Sequence, residues 1–227
     1  FYAMTYHRER KFAGRKGRPR GPLLIDTNQT RYQSNDKKWH FDWAARWSHA
    51  MGPVDIAISH FSGTARDPVL VAGVGEGGEP VLIPRYNLIN QTSLEFQATF
   101  DALLLKFEGF HRAQPGRDFL AGAGGFEYTV FNAFGQSDLG LLAEYLWDER
   151  GRAADNPFED DLFAGVRWSA NDIAGTTLLA GSIFDLDTKA KFVNLEASRR
   201  FGNHWTLSLD ARLLLSVPAT DPFYTFS

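Results

Sequence analysis

The stretch "WTLSLDARLLL", residues 205–215, shows most clearly which kind of fold this chain adopts. Its odd-numbered positions, from Trp205 to Leu215, are apolar, whereas its even-numbered positions from Thr206 to Arg212 are polar or charged. Successive side chains of a β-strand point to opposite faces, so the pattern predicts a strand with one apolar face and one charged face. The length of the stretch matches the roughly 9–11 residues with which a tilted strand crosses a bilayer.

The same alternation recurs along most of the chain. It is present at residues 41–48, 54–59, 94–99, 126–130, 138–148, 161–170 and 192–200. Short connections at 50–53, 100–103, 134–137, 171–175 and 202–203 alternate with longer and more polar ones. No segment has the periodicity and caps of an amphipathic helix. We therefore predict about ten complete strands and the end of another at residues 1–6.

The composition excludes several classes of protein. In 227 residues, 24 Lys and Arg oppose 27 Asp and Glu, so a net charge of −3 gives no general attraction to nucleic acid. Cysteine is absent, which excludes disulfides, thiolate catalysis and cysteine-ligated metals. Mean hydropathy is below zero, and no apolar run reaches the roughly 18–20 residues of a membrane helix. An outer-membrane barrel is compatible with both facts, because half of each of its strands faces a polar interior.

These patterns predict an all-β fold, a transmembrane antiparallel up-and-down β-barrel of about 10–12 strands that forms a single domain over residues 1–227. Short connections would be periplasmic turns, and the long connections at 11–38, 63–86 and 149–160 would be extracellular loops. Because bacterial barrels have an even number of strands and their first and last strands must pair, we expect the barrel to be incomplete at one or both ends. A soluble β-sandwich or lipocalin-like barrel also alternates, but the charges of both signs opposite a broad apolar band favour the membrane barrel.

Tryptophans near the strand ends fit a membrane protein. The chain has 19 Phe, 7 Tyr and 6 Trp. The residues predicted to form interfacial aromatic girdles are Trp39, Trp47, Trp147, Trp168 and Trp205. We therefore expect the outer surface of the barrel to contact outer-membrane lipid.

Charged residues on the polar faces of the strands are candidates for lining a lumen, because ionisable groups at membrane depth must face water or one another. They are Asp42, Arg46, Glu95, Lys106, Glu108, Glu127, Glu144, Arg167, Asp185, Glu196, Arg200, Asp210 and Arg212. The lining predicts porin-like passage of small polar solutes. The alternative is a structural or assembly barrel whose lumen is occluded by paired acidic and basic side chains.

Three stretches carry a resemblance to known proteins: "DLGLLAEYLWDERG" from residue 138, "DLFAGVRWSANDIAGTTLLAG" from residue 161 and "NLEASRRFGNHWTLSLDARLLL" from residue 194. With them the chain resembles Gram-negative outer-membrane β-barrel proteins over nearly its whole length, and in particular a group of proteobacterial barrels. The resemblance implies a location in the bacterial outer membrane and a barrel fold. It implies no substrate.

The stretch "SHFSGTARDP", residues 59–68, contains the one enzymatic motif that we consider. His60 and Ser62 are two residues apart, so they share a strand face, and the alternation places that face towards lipid. The pair resembles the His-x-Ser of outer-membrane phospholipase A and of lipid A deacylase barrels, which implies an outer-leaflet lipid acyl hydrolase as a second alternative. The phospholipase has Asn directly after its serine, where this chain has Gly63. We favour no catalytic residue, and interpret His60 as an interfacial polar residue.

A basic stretch, "KFAGRKGRPR", occupies residues 11–20. On an extracellular loop, its Arg15, Lys16, Arg18 and Arg20 would contact lipopolysaccharide phosphates or an anionic solute, or would simply be solvated. The remaining histidines have no metal-ligand spacing, so we expect neither a metal nor a cofactor. Nucleic acid is not an expected partner, and the oligomeric state stays open.

Overall fold

The computed structural model describes residues 1–15, 17, 21–154 and 156–219, and these residues form β-strands joined by turns and three short 3-10 helices. The strands are β1 (Tyr2–Met4), β2 (Leu24–Ile25), β3 (Arg31–Tyr32), β4 (Asp42–Met51), β5 (Val54–Thr64), β6 (Val69–Val74), β7 (Pro80–Tyr86), β8 (Leu88–Phe100), β9 (Leu103–Ala113), β10 (Phe119–Phe134), β11 (Ser137–Asp148), β12 (Asp160–Ser169), β13 (Thr177–Asp185), β14 (Lys191–Phe201) and β15 (Trp205–Leu215). The 3-10 helices are Thr27–Gln29, Lys37–Trp39 and Gly151–Ala153. Within the described part of the chain, no helix is long and apolar enough to cross a membrane. The all-β prediction is confirmed.

Eleven strands form one large antiparallel sheet in the order β1-β4-β5-β8-β9-β10-β11-β12-β13-β14-β15. Neighbours in this order are also neighbours in sequence once the small strands β2, β3, β6 and β7 are left aside. From β4 to β12 the long strands are joined alternately by short and by longer connections, as the sequence predicts. The alternation does not continue beyond β12, because the β12–β13 connection at 170–176, predicted to be short, is longer than the β13–β14 connection at 186–190. Among the described residues, the order begins with β1 and ends with β15, and no pairing joins these two strands.

The tight turns depend on residues in the left-handed backbone region. Asp101, between β8 and β9, has φ +47°, and Gly202, between β14 and β15, has φ +59°. Hairpin turns with this twist need positive φ, which Gly adopts without steric cost and Asp tolerates better than most residues.

The chain divides into two compact units. Unit 1 comprises Phe1–Trp47, Ile58–Ser93 and Phe110–Phe119, and unit 2 comprises Ser48–Ala57, Leu94–Gly109 and Leu120–Ser227.

Unit 1 contains a second small sheet built around β7. Strand β6 pairs with it antiparallel, and the short strands β2 and β3 pair with it in parallel. Val81, Ile83 and Tyr86 of β7 are almost completely buried, so this sheet carries a conventional apolar core. The sequence predicts long loops at 11–38 and 63–86, and the structure differs because these four strands lie within them.

Unit 2 contains the continuous ladder from β10 to β15, and its packing differs from that of unit 1. The buried apolar residues described in unit 2 are Ala57, Ala98, Ala121 and Ala190. No Leu, Ile, Val, Phe, Tyr or Trp is buried in the part of unit 2 that the structure describes. The large apolar side chains described in unit 2 are instead half-buried or exposed, and the buried Phe119 that begins β10 belongs to unit 1.

One contact in unit 1 yields a test of the fold. At Gly63 in β5, an added Cβ would lie 2.4 Å from Cγ of the buried Asp42 in β4. We expect Gly63→Ala to lower the free energy of unfolding by about 1–3 kcal/mol, the usual cost of overpacking. Gly14→Ala is the matched control, since nothing lies within 4 Å of an added Cβ there. Thermal unfolding midpoints measure both, and equal midpoints for the two variants would contradict the close approach.

Candidate functional site

The strand register of unit 2 places most of the predicted lumen residues on one face of the sheet. Arg167 pairs across β12 and β13 with Leu179, which pairs with Glu196, which pairs with Asp210. Directly paired residues of antiparallel strands point to the same side. By this register the side chains that share the charged face are Glu127, Glu144, Arg167, Asp185, Glu196, Arg200, Asp210 and Arg212.

Acidic and basic groups on the charged face are partly paired. Arg167 in β12 lies 2.8 Å from Glu127 in β10, and the pair crosses the intervening strand at Gly140, where an added Cβ would lie 2.9 Å from Oε1 of Glu127. On β15, Arg212 lies 3.1 Å from Asp210. The face therefore presents fixed charges of both signs, as either an open or an occluded lumen requires.

The opposite face of the same ladder is apolar and exposed. We call it the apolar face, and its large side chains include Phe126, Tyr128, Leu141, Tyr145, Leu162, Val166, Leu207, Leu209 and Leu213. Tyr145 is 42% exposed, Val166 38% and Leu207 64%. Within the described residues, no other part of unit 2 covers this surface.

The other predicted lumen residues are placed differently. Arg46 shares its strand face with Asp42, which pairs with Met4. Glu95 in β8 is half-buried, and Lys106 and Glu108 in β9 are exposed. Asp42 itself is only 1% exposed, so it anchors a buried network where the sequence predicts a group facing a lumen.

The buried network in unit 1, here called the Asp42 network, consists of Asp42, His40, Thr64, Arg66 and His7. Asp42 Oδ1 accepts hydrogen bonds from the Thr64 backbone N–H at 2.8 Å and from the Thr64 hydroxyl at 3.2 Å, and it lies 2.8 Å from His40 Nδ1. Asp42 Oδ2 lies 3.2 Å from the Arg66 guanidinium. A buried carboxylate is stable only with such partners, and this one has four.

His7 completes the network from the other side of Arg66. Its Nδ1 accepts a hydrogen bond from Arg66 at 2.8 Å, which assigns the proton of the neutral ring to Nε2. The ring is fully buried and contacts Tyr86 edge-on at 4.6 Å. Burial, followed by the nearby Arg66 charge, lowers the pKa of His7. A neutral His7 can accept from Arg66, whereas a protonated one would oppose it.

A cleft of about 380 Å³ lies beside this network in unit 1. Its apolar lining consists of Tyr2, Met4, Ala44, Phe61 and Ile89, and its polar lining of Arg66, Asp67, Gln91 and Arg112. His7, Arg66 and Arg112 are not among the site residues predicted from the sequence. The only sequence signal near any of the three is that Arg66 lies inside the "SHFSGTARDP" stretch.

Arg112 is held as firmly as Arg66. Its Nε and one terminal nitrogen donate to Gln91 Oε1 at 2.9 and 2.7 Å. Its guanidinium carbon lies 5.1 Å from the Phe110 ring centroid and 5.6 Å from that of Phe119. The hydrogen bonds to Gln91 and the contacts with the two rings fix the plane of the Arg112 guanidinium. A guanidinium held in one plane is suited to bind a carboxylate or phosphate.

The two residues of the His-x-Ser stretch do not form a catalytic pair in this structure. His60 Nδ1 lies 2.9 Å from the Thr92 hydroxyl, and its ring packs 5.2 Å from Trp43. No hydrogen bond between His60 and Ser62 is present among the described residues. These contacts place His60 on the face of Trp43, opposite that of Asp42, in keeping with the predicted outward orientation.

At one end of the unit 2 ladder, two carboxylates are buried together. Asp161 and the predicted lumen residue Asp185 are direct cross-strand partners and are both at least nine-tenths buried. Asp185 accepts hydrogen bonds from the backbone N–H groups of Asp187 and Thr188, so it closes the β13–β14 turn. In the described part of the chain, no group of three or more His, Asp or Glu side chains is arranged to hold a metal.

The tryptophans predicted as girdles lie near the strand ends or beside them. Trp205 begins β15, while Trp168 and Trp147 are each one residue before the end of their strands, β12 and β11. Trp47 lies four residues before the end of β4, and Trp39 is in the 3-10 helix that precedes β4. In the basic stretch, Arg15 forms an ion pair with Glu79. The other three predicted anion contacts, Lys16, Arg18 and Arg20, lie outside the described residues.

Comparison of the chain with protein-family models, curated proteins and solved structures gave no match. A function for this chain therefore follows only from its own residues and geometry.

The lowered pKa of His7 predicts a pH dependence of stability. Between the folded pKa of His7 and its ordinary value of 6.5, the unfolded chain binds more protons than the folded one. The free energy of unfolding therefore rises with pH through this window and falls as the pH drops below about 6.5. We expect His7→Asn, whose Oδ1 can replace Nδ1 as the acceptor for Arg66, to flatten this slope.

Thermal unfolding midpoints between pH 5 and 8 measure the effect. His204→Asn, at an exposed turn position, is the control and should keep the wild-type slope. Parallel pH profiles for wild type and the His7 variant would show that His7 does not contribute.

Proposed function

We propose that the eleven-stranded sheet is the wall of an outer-membrane β-barrel, through which small polar solutes pass along the charged face. The single observation that carries this proposal is the apolar face of unit 2. It is a continuous surface of large apolar side chains that the described residues leave uncovered, and the buried apolar residues described in unit 2 are all alanines.

A water-soluble domain would be unstable with this arrangement. Soluble monomers rarely expose contiguous apolar patches beyond a few hundred Å², and they bury large side chains to offset conformational entropy. In a bilayer the acyl chains cover the same surface. Stability then requires that the backbone N–H and C=O groups hydrogen-bond to one another, because the hydrocarbon offers them no partner. Between its strands, the ladder from β10 to β15 meets this requirement with runs of uninterrupted antiparallel register, eleven pairs between β14 and β15. Among the described residues the outer edge of β15 has no partner strand, so the proposal requires a further pairing there.

The charged face supports a polar path rather than a second lipid contact. An Arg or Lys on the lipid side costs about 2–4 kcal/mol at the bilayer midplane, so charges in membrane strands face water or each other. Fixed groups of both signs, among them Arg167, Glu196 and Arg212, would orient small polar solutes within such a path.

An occluded structural barrel is the second candidate, and the cross-strand pair of Arg167 with Glu127 is the observation that favours it. Side chains that pair across strands can fill a narrow lumen. An outer-leaflet hydrolase is less supported, because His60 Nδ1 is engaged with Thr92.

The apolar face gives a direct test of the membrane proposal. We expect Val166→Arg to lower the free energy of unfolding in phospholipid bilayers by about 2–4 kcal/mol, the cost of an arginine facing lipid. If water covered this surface, the exposed position would tolerate the change within about 0.5 kcal/mol. Ile173→Arg, in the β12–β13 turn and 95% exposed, is the matched control and should have no such effect. Guanidinium titrations of protein folded into bilayers measure both variants.

Planar-bilayer recordings separate the open path from the occluded barrel. We expect discrete conductance steps from the purified protein, and Arg167→Gln or Arg212→Gln should shift the reversal potential towards cation selectivity. Arg199→Gln is the control. Arg199 is near the end of β14, on the opposite face from Arg200, and lies 3.7 Å from Asp172 in the β12–β13 connection, so its replacement should leave selectivity unchanged. A folded, membrane-inserted protein without conductance would favour the occluded barrel. Ester release from phospholipid that Ser62→Ala abolishes would favour the hydrolase.

A further inference from the structure

The cleft in unit 1 combines an apolar lining with two cationic groups. Phe61 and Tyr2 provide aromatic surface, and Ile89 provides aliphatic surface. Arg66 and Arg112 line the same cleft. Small-molecule sites are typically clefts of about 300–1,000 Å³ with mostly apolar walls and a few well-placed polar groups, and this cleft of about 380 Å³ has that character.

Both arginines are held in place before any ligand arrives. Arg66 is fixed by His7 and Asp42, of which His7 is 0% exposed and Asp42 is 1% exposed. Arg112 is fixed by Gln91 and by two phenylalanine rings. A solvated surface arginine has no such support, and an immobilised guanidinium loses less entropy when it binds an anion.

Among the described residues, the one carboxylate in the lining of the cleft, Asp67, does not neutralise the two arginines that would bind an anion. Asp67 lines the cleft, but it forms an ion pair with Arg10, which is outside the lining. Arg66 forms an ion pair with the buried Asp42, and its guanidinium carbon lies 5.4 Å from the centroid of the Phe61 ring. A cationic group and an aromatic surface are therefore adjacent in the cleft. An anion attached to an apolar body can contact both.

From this geometry we propose that the cleft is a binding site for small organic anions that carry a carboxylate on an apolar, preferably aromatic, body. The carboxylate would accept hydrogen bonds from Arg66 and Arg112, and the apolar body would pack against Phe61, Tyr2 and Ile89. The proposal deepens the proposed function by naming a solute class and rests on it for the route to the cleft, but binding itself needs no conductance.

Binding of benzoate to the protein in lipid nanodiscs, measured by isothermal titration calorimetry, tests the proposal. We expect one benzoate to bind per chain. Benzyl alcohol, which lacks the carboxylate, and inorganic phosphate, which lacks the aromatic ring, should each bind at least about tenfold more weakly. Arg112→Gln and Arg66→Gln should each weaken benzoate binding by about tenfold or more. Arg85→Gln, at an exposed position of β7 outside the cleft, is the matched control and should keep the wild-type affinity.

The outcomes distinguish this site from the pore. Benzoate binding that survives Arg112→Gln in a folded protein, or that benzyl alcohol or phosphate matches, would overturn the proposal even if the conductance is normal. Loss of binding in Arg66→Gln supports it only where circular dichroism shows an intact sheet, and Arg112→Gln decides the matter if that variant unfolds. Specific benzoate binding without conductance would retain the site and contradict the open pore.

Discussion

Backbone pairing is the interaction on which unit 2 depends. Its described residues bury alanines and no larger apolar side chain, so within unit 2 the strands lack the packed interior that stabilises soluble domains. What remains is the row of hydrogen bonds between strands and the side-chain pairs that accompany them on each face. In water such a ladder would compete with solvent for every bond, whereas in hydrocarbon no competitor exists. The proposed environment is thus also the one in which the observed interactions are strongest.

Unit 1 is stabilised differently, by an apolar core and a buried polar network. It contains the only large buried apolar side chains in the described part of the chain, around Ile83, Tyr86 and Phe119, together with a buried carboxylate and a buried imidazole. The Asp42 network couples residues from β4 and β5 to the segment after β1, and thereby holds Arg66 in one orientation. A rigid polar element next to an apolar cleft is how binding sites achieve selectivity without paying for side-chain ordering at the moment of binding.

The sequence predicted the part of the fold that depends on local periodicity. Alternation along residues 205–215 and 161–170 correctly indicated strands and their two faces, because each of these is set by neighbouring residues. It did not predict β2 and β3, which are two residues long, or β7, where Pro80 and Pro84 argue against a strand. The same limit explains the site. The contact of His7 with Arg66 joins residues 59 positions apart, and no local pattern encodes it. Asp42 occupies a polar position of its strand, and only the tertiary structure shows that a glycine at 63 lets the backbone close over it.

The pairing of β11 with β12 runs for ten consecutive residue pairs without a bulge, from Asp138 with Ser169 to Trp147 with Asp160. Such a ladder has no place to absorb an extra residue. A single-codon insertion within it would invert the orientation of every side chain beyond that point, moving Arg167 to the apolar face and Val166 to the charged face, whereas a two-codon insertion would restore the original sides. The β10–β11 pair already contains an irregularity between Val130 and Phe134. Lineages that diverge in length should therefore accumulate odd-numbered changes there or in the long connections, and even-numbered ones elsewhere.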